Sequence, residues 1–269
     1  MKYFNIILFV FIGFSAQAQY ALIKLWETNP IAFPESVIST TDILYVSLLD
    51  HYPLREKGKG KIAKIGLDGK IIDANWITGL DTPEGMGIWK GKLYVADINR
   101  ILVIDIQKGK LDHSISVSGS SSLNDLVIDH EGFIYTSDID LGIVYRIINE
   151  ESSVYIKDLP GVNGLQIVGN HLYMVTDTDI FKLDTDKKLT SLAKFHSGAD
   201  GLASLGNDSF LATVYNGHIY HLDKNGKMEL ILNTEAQKIG SADLIFDSKK
   251  RIVYVPTLYG NSIIAYQLK

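Results

Sequence analysis

One acidic or amide residue recurs at the same phase of six successive segments: Glu35, Glu84, Asn124, Asn163, Asp200 and Asp243, at intervals of about 40 residues. Each opens a short apolar run, as in Pro34-Glu35-Ser36, Pro83-Glu84-Gly85 and Ala199-Asp200-Gly201. A second run follows in every segment, rich in β-branched and aromatic residues that suit a pleated surface: Ile43 to Val46, Leu93 to Ala96, Phe133 to Thr136, Leu172 to Val175, Phe210 to Thr213 and Ile252 to Val255. Third runs come next, and turn pairs such as Asp68-Gly69 and Asn225-Gly226 lead into a fourth.

A unit of four short strands at such a period cannot bury both of its faces alone and must pack against copies of itself. The expected fold is all-β, a six-bladed β-propeller. The sixth segment ends soon after its third run, while Tyr20 to Trp26 precedes the first segment without a partner. This N-terminal strand is expected to complete the last blade, which closes the ring and removes an exposed edge. With 269 residues and 46% hydrophobic content, residues 19–269 are expected to form one domain.

Residues 1–18 read as a secretory signal peptide. Lys2 precedes the apolar run Ile6 to Ile12, and Ala16-Gln17-Ala18 offers a small-residue cleavage site. The run is short for a membrane span, so the mature chain is expected in the periplasm or outside the cell, without stable membrane insertion. No cysteine is present, which excludes disulfides, thiolate chemistry and lipid attachment at this site. A net charge of −5 without a basic, aromatic-rich patch weighs against nucleic acid as a partner. A small molecule is expected instead.

In an antiparallel meander the residues that open strand one and those that close strand two share one end of the central channel. The six phased residues would therefore ring the channel mouth, with Asp97 and Asp138 outside them on the same face. The insertion 49–59, including His51, is a candidate lid over that face. Carboxylates and amides converging there would repel one another unless a cation intervened, and an all-oxygen donor set favours a hard ion. Ca2+ is expected, with Mg2+, Mn2+ and Zn2+ as alternatives. The competing reading is that each residue only caps its own turn, as Asn and Asp often do in loops.

The stretches Ser122 to Asp129 with Gly132 to Tyr135, Val162-Asn163-Gly164-Leu165 and Ala199-Asp200-Gly201-Leu202 resemble the regucalcin (senescence marker protein) and gluconolactonase family of six-bladed propellers. The resemblance spans nearly the whole mature chain. It implies a divalent metal at the channel mouth, held by Glu35, Asn163 and Asp200, with Asn124 a further ligand or a substrate contact, and hydrolysis of lactones or, in related propellers, of organophosphates; the activity expected of this chain is metal-assisted hydrolysis of a lactone or ester. Two departures bear on the substrate. Glu35 is followed by Ser36 rather than by Gly-Pro, and Ser122-Leu123 stands where sugar-lactone hydrolases often carry arginine, which calls sugar-acid lactones into question.

On this reading the metal ligands are Glu35, Asn124, Asn163 and Asp200. Asp200 is the general base, with Asp125, Asp138 or His196 as substitutes, and the substrate contacts are Asn124, His51, Asp97 and Asp138. The alternative is a non-catalytic propeller that binds a small ligand or a protein and keeps the ion as a structural plug, or lacks it.

Overall fold

A computed structural model describes residues 20–28, 30–50, 57–196 and 198–269. The expected signal segment and His51 lie outside the described residues.

The described chain folds as a six-bladed β-propeller of six four-stranded antiparallel sheets, each ordered outward from the channel. The first blade comprises Pro34–Ser39, Ile43–Leu48, Gly60–Gly66 and Ile71–Leu80, and the second Pro83–Trp89, Lys92–Asp97, Arg100–Asp105 and Lys110–Ser116. The third is built from Leu123–Ile128, Ile134–Asp138, Ile143–Ile148 and Glu151–Ile156, and the fourth from Leu165–Val168, His171–Val175, Asp179–Leu183 and Leu189–Lys194. The fifth holds Ala199–Gly206, Ser209–Val214, His218–Leu222 and Met228–Asn233. The sixth contributes Ile245–Asp247, Ile252–Pro256 and Ile263–Leu268, and Leu22–Glu27 pairs antiparallel with its third strand as the outermost member. The closing strand anticipated from the sequence is in place.

The core follows from the repeat. Alternating strand residues present apolar side chains to both faces of each blade, so the buried clusters sit between blades. Leu44, Val46, Ala63 and Ile65 of the first blade meet Tyr254, Ile263 and Ala265 of the last. Ala96, Ile101 and Val103 of the second meet Leu126, Ile134 and Tyr145 of the third. Every neighbouring pair of blades shares such a cluster.

The three tryptophans of the chain join blades in a common way. Trp26, Trp76 and Trp89 each lie against a turn glycine of the following blade, Gly69, Gly109 and Gly132, all at positive φ. Trp26 also donates its indole N–H to the Leu67 carbonyl at 3.0 Å, which ties the closing strand to the first blade.

Candidate functional site

The innermost strand of every blade begins with the same irregularity, and it positions the phased residues. Pro34 pairs with Leu48 and Val37 with Val46, so Glu35 and Ser36 together oppose Ser47 alone. Glu84 and Gly85 oppose Ala96, Asn124 and Asp125 oppose Ser137, and Asp200 and Gly201 oppose Thr213 in the same two-to-one pattern. In the fourth blade Asn163 N–H bonds to the Val175 carbonyl while Val175 N–H bonds to that of Gly164, and in the sixth Ala242 N–H bonds to the Pro256 carbonyl while Ile245 pairs with Tyr254, so that Ala242 and Asp243 oppose Pro256. A bulge of this kind re-aims a side chain and frees one backbone N–H.

Hydroxyls from the second strand take up the freed donors. Ser47 Oγ accepts from Ser36 N at 2.9 Å, Ser137 Oγ from Asp125 N at 2.9 Å and Thr213 Oγ1 from Gly201 N at 2.7 Å. Thr213 also donates to the Ala242 carbonyl of the next blade at 2.6 Å.

The first residue of each bulge turns toward the channel. Glu35, Glu84, Asn124, Asn163 and Asp200 line one cavity of about 320 Å³ at the channel mouth, together with Leu49, Ile139, Tyr215, Ala242, Leu258 and Tyr259. All four expected metal ligands are thus brought to one space. Asp243, expected in the ring, does not line it: it is the second residue of its bulge, as Asp125 is in the third blade, and Ala242 takes the inward position. Asp243 Oδ2 accepts from Ser36 Oγ at 2.7 Å and its Oδ1 from Leu244 N at 2.7 Å.

The second residue of each bulge faces the neighbouring blade. Asp125 accepts from the N–H of Leu126 and, through Oδ2, from that of Leu165 in the fourth blade. Its carboxyl serves the junction between blades, which removes it as a base within the cavity. His196 is exposed and is not among the cavity residues.

Asp97 and Asp138 are fully buried and neither lines the cavity. Asp97 accepts from Thr82 N at 2.7 Å and from Arg100 Nη2 at 2.8 Å. Asp138 accepts from Ser121 N at 2.7 Å, Leu141 N at 3.1 Å and Ser122 N at 3.3 Å. Each carboxylate clamps the segment that leads into its own bulge, so the substrate contact expected of both gives way to a positioning role for Glu84 and Asn124.

Of the cavity rim the sequence placed only Leu49 on this face, as the start of the insertion 49–59, and gave no sign of Ile139 or Tyr215. Leu49, Ile139 and Tyr215 directly follow the ends of second strands, one residue past the position at which Asp97 and Asp138 stand. A shift of one residue exchanges an inward for an outward direction, and the rim falls on the side that the acidic residues do not.

The electrostatics of the mouth are unfavourable without a counter-charge. Burial raises the Glu35 carboxyl well above the usual carboxylate range, and Glu84, Asp200, Asp243 and Asp125 add to the rise. Its Oε2 is buried with no hydrogen-bond partner. Burial and then the Asp125 charge push Asp200 up to about 7, against a 2.9 Å hydrogen bond donated by Asn163 Nδ2 to Asp200 Oδ1. Asp243 is raised well above its ordinary value by burial and by Asp125. Among the described residues no three His, Cys, Asp or Glu side chains are grouped to hold an ion by themselves. A cation here would need the amide oxygens of Asn124 and Asn163 to complete its shell. The orphaned Glu35 oxygen and the all-oxygen donor set fit such an ion.

No protein-family model and no curated protein matches the sequence. Solved structures do match in fold. Virginiamycin B lyase from Staphylococcus aureus superposes with a TM-score of 0.69 at 14% identity, over 93% of this chain and 99% of that one. A protein provisionally named a gluconolactonase gives 0.69 at 16% identity, over 94% and 93%. An auxiliary nutrient binding protein from Bacteroides thetaiotaomicron gives 0.67 at 11% identity, over 89% and 70%. At these identities the likeness is one of fold, and with it the chain takes its place among six-bladed propellers of diverse activity.

Proposed function

We propose that this chain is an exported, metal-dependent hydrolase of a small lactone or ester. The buried, unpartnered Glu35 Oε2 within a mouth of mutually repelling carboxyls carries the reading, because that group needs either a proton or a cation. Glu35 and Asp200 would hold a divalent cation, Ca2+ first among hard ions, with the amides of Asn124 and Asn163. When bound, the ion supplies Lewis-acid polarisation of the scissile carbonyl and stabilises the developing oxyanion.

The chain's own groups supply the rest. Asn163 engages Asp200 Oδ1 and so orients the carboxyl, leaving Oδ2 to accept a proton from water as the water oxygen bonds to the carbonyl carbon. The carbon–oxygen bond to the leaving alkoxide then breaks, and Asp200 returns the proton to that oxygen. The amide of Asn124 lies in the same cavity and can hydrogen-bond the substrate, while Leu49, Ile139 and Leu258 keep water from its apolar part.

A specific observation favours a second reading. Tyr215 and Tyr259 stand at the cavity and are 49% and 46% exposed, an amphipathic surface suited to capturing a ligand or a protein at this face. A panel of lactones and aryl esters, assayed with the chelator-stripped chain and again with added Ca2+, separates the two. The hydrolase reading expects turnover only with the ion, reduced at least about a hundredfold in Asp200→Asn. Stoichiometric Ca2+ and ligand binding without turnover on any substrate would replace it with the binding propeller.

A further inference from the structure

At the end of the propeller opposite the channel mouth, the third and fourth blades enclose a cavity of about 260 Å³. Its walls are apolar and aromatic, formed by Phe133, Tyr135, Tyr155, Ile167 and Leu172, and its polar groups include Arg146 and His171. Arg146 stands beside Tyr135 on the adjacent strand. Tyr155 is the extra residue of a bulge, since Val144 pairs with Ile156 and Tyr145 with Val154. The guanidinium of Arg146 sits 5.1 Å from the centre of the Tyr155 ring, and Lys187 Nζ of the fourth blade 4.6 Å from the same ring.

Two polar atoms in this cavity wall are left over. Arg146 Nε and His171 Nδ1 are both buried and make no hydrogen bond. The carboxylate of Asp129 is already committed: Oδ1 accepts from the N–H groups of Glu131 and Phe133, and Oδ2 from the Tyr135 hydroxyl. Glu131 is exposed at the edge. The next groove around the ring shows what is missing. Between the fourth and fifth blades Lys182 takes the place of Arg146, and that groove is lined by Asp208 and Asp223, with Tyr173 donating to Asp208 Oδ1 at 3.2 Å. In the groove of Arg146 the following blade presents Asn170 and His171 instead.

We propose that this inter-blade cavity is a second binding site, separate from the channel mouth, for a small monocarboxylate with a flat apolar body. The planar fork of Arg146 pairs with the carboxylate, and the rings of Phe133 and Tyr155 flank the body. The carboxyl groups of Asp129 and Glu131 on the same wall offset the cations Arg146 and Lys187, which suits a single negative charge and disfavours a dianion.

The test is calorimetric titration of the full mature chain with benzoate, with inorganic phosphate as the competing anion. One saturable benzoate site is expected, at least about tenfold weaker in Arg146→Met, which keeps an unbranched apolar side chain and loses the fork. Arg146→Lys, which keeps the charge without the fork, should also weaken it, and it carries the test alone if the methionine variant does not fold. Glu35→Gln should bind benzoate as the parent does. The proposal is overturned by absence of saturable benzoate binding, by folded Arg146 variants that bind as tightly as the parent, by phosphate binding as well as benzoate, or by loss of binding in Glu35→Gln.

Discussion

The carboxyls of the channel mouth differ in what the fold asks of them, and substitution separates them. Asp97 and Asp138 each satisfy backbone donors that have no other acceptor, and Asp97 also faces Arg100. Asp97→Ala should destabilise the chain by about 3 kcal/mol, since it strands buried N–H groups and leaves Arg100 with Asp81 as its one carboxylate partner. Chemical denaturation measures this, and a change below about 0.5 kcal/mol would refute the clamp. Glu35, Asp200 and Asp243 behave in the opposite sense, because their pKa values are raised in the folded state. The folded protein then binds more protons than the unfolded chain between the ordinary carboxyl value and the raised one. Stability from these groups is present at low pH and is lost as pH rises through their raised values, about 7 for Asp200. The chelator-stripped protein should therefore melt at a higher temperature at pH 5.5 than at pH 8, and saturating Ca2+ should flatten the difference. A higher melting temperature at pH 8 without the ion would contradict the assignment.

At the scale of the strand, the bulge is the device that makes a site from a repeat. Thr213 secures it most firmly, accepting from Gly201 N and donating to the Ala242 carbonyl. Thr213→Val keeps the shape and removes both bonds, at an expected cost of about 2 kcal/mol, with weaker cation binding through the adjoining Asp200. Ser47→Ala, which loses the acceptor for Ser36 N, should cost about 1 kcal/mol. Equal melting temperatures for parent and Thr213→Val would show that the hydroxyl is dispensable. The phase of Glu35, Asn124, Asn163 and Asp200 was legible because each opens an apolar run of the same form. The bulge itself was not, since an extra residue leaves no mark on a pattern of alternation. Nor was the fate of the acids at the ends of second strands: a carboxylate there takes the N–H groups of the adjoining segment, and sequence spacing does not register that competition. Ile139 and Tyr215 were hidden for a different reason, as apolar and aromatic residues after a strand look like packing, whereas Leu49 was placed on this face with the insertion 49–59.

The ring is closed by Leu22–Glu27, and this too was legible, because the last segment lacked a strand that the N-terminal run could supply. Trp26 makes that closure specific through its contact with Gly69 and its hydrogen bond to Leu67. Trp26→Ala should cost about 2 kcal/mol, less than a fully buried tryptophan because the ring is only partly covered, and thermal melting would reveal it. The closed ring holds five channel-mouth residues from five separate blades around one cavity, an arrangement that no single blade can make. A cation shared among them is the central claim, and Glu35 is where it is most exposed to test. Calorimetric titration of the chelator-stripped chain with Ca2+, beside Glu35→Gln, measures it directly. One site per chain, weakened at least about tenfold by Glu35→Gln, is the predicted result. No heat of binding from Ca2+, Mg2+, Mn2+ or Zn2+, or equal affinity in the two proteins, would contradict it.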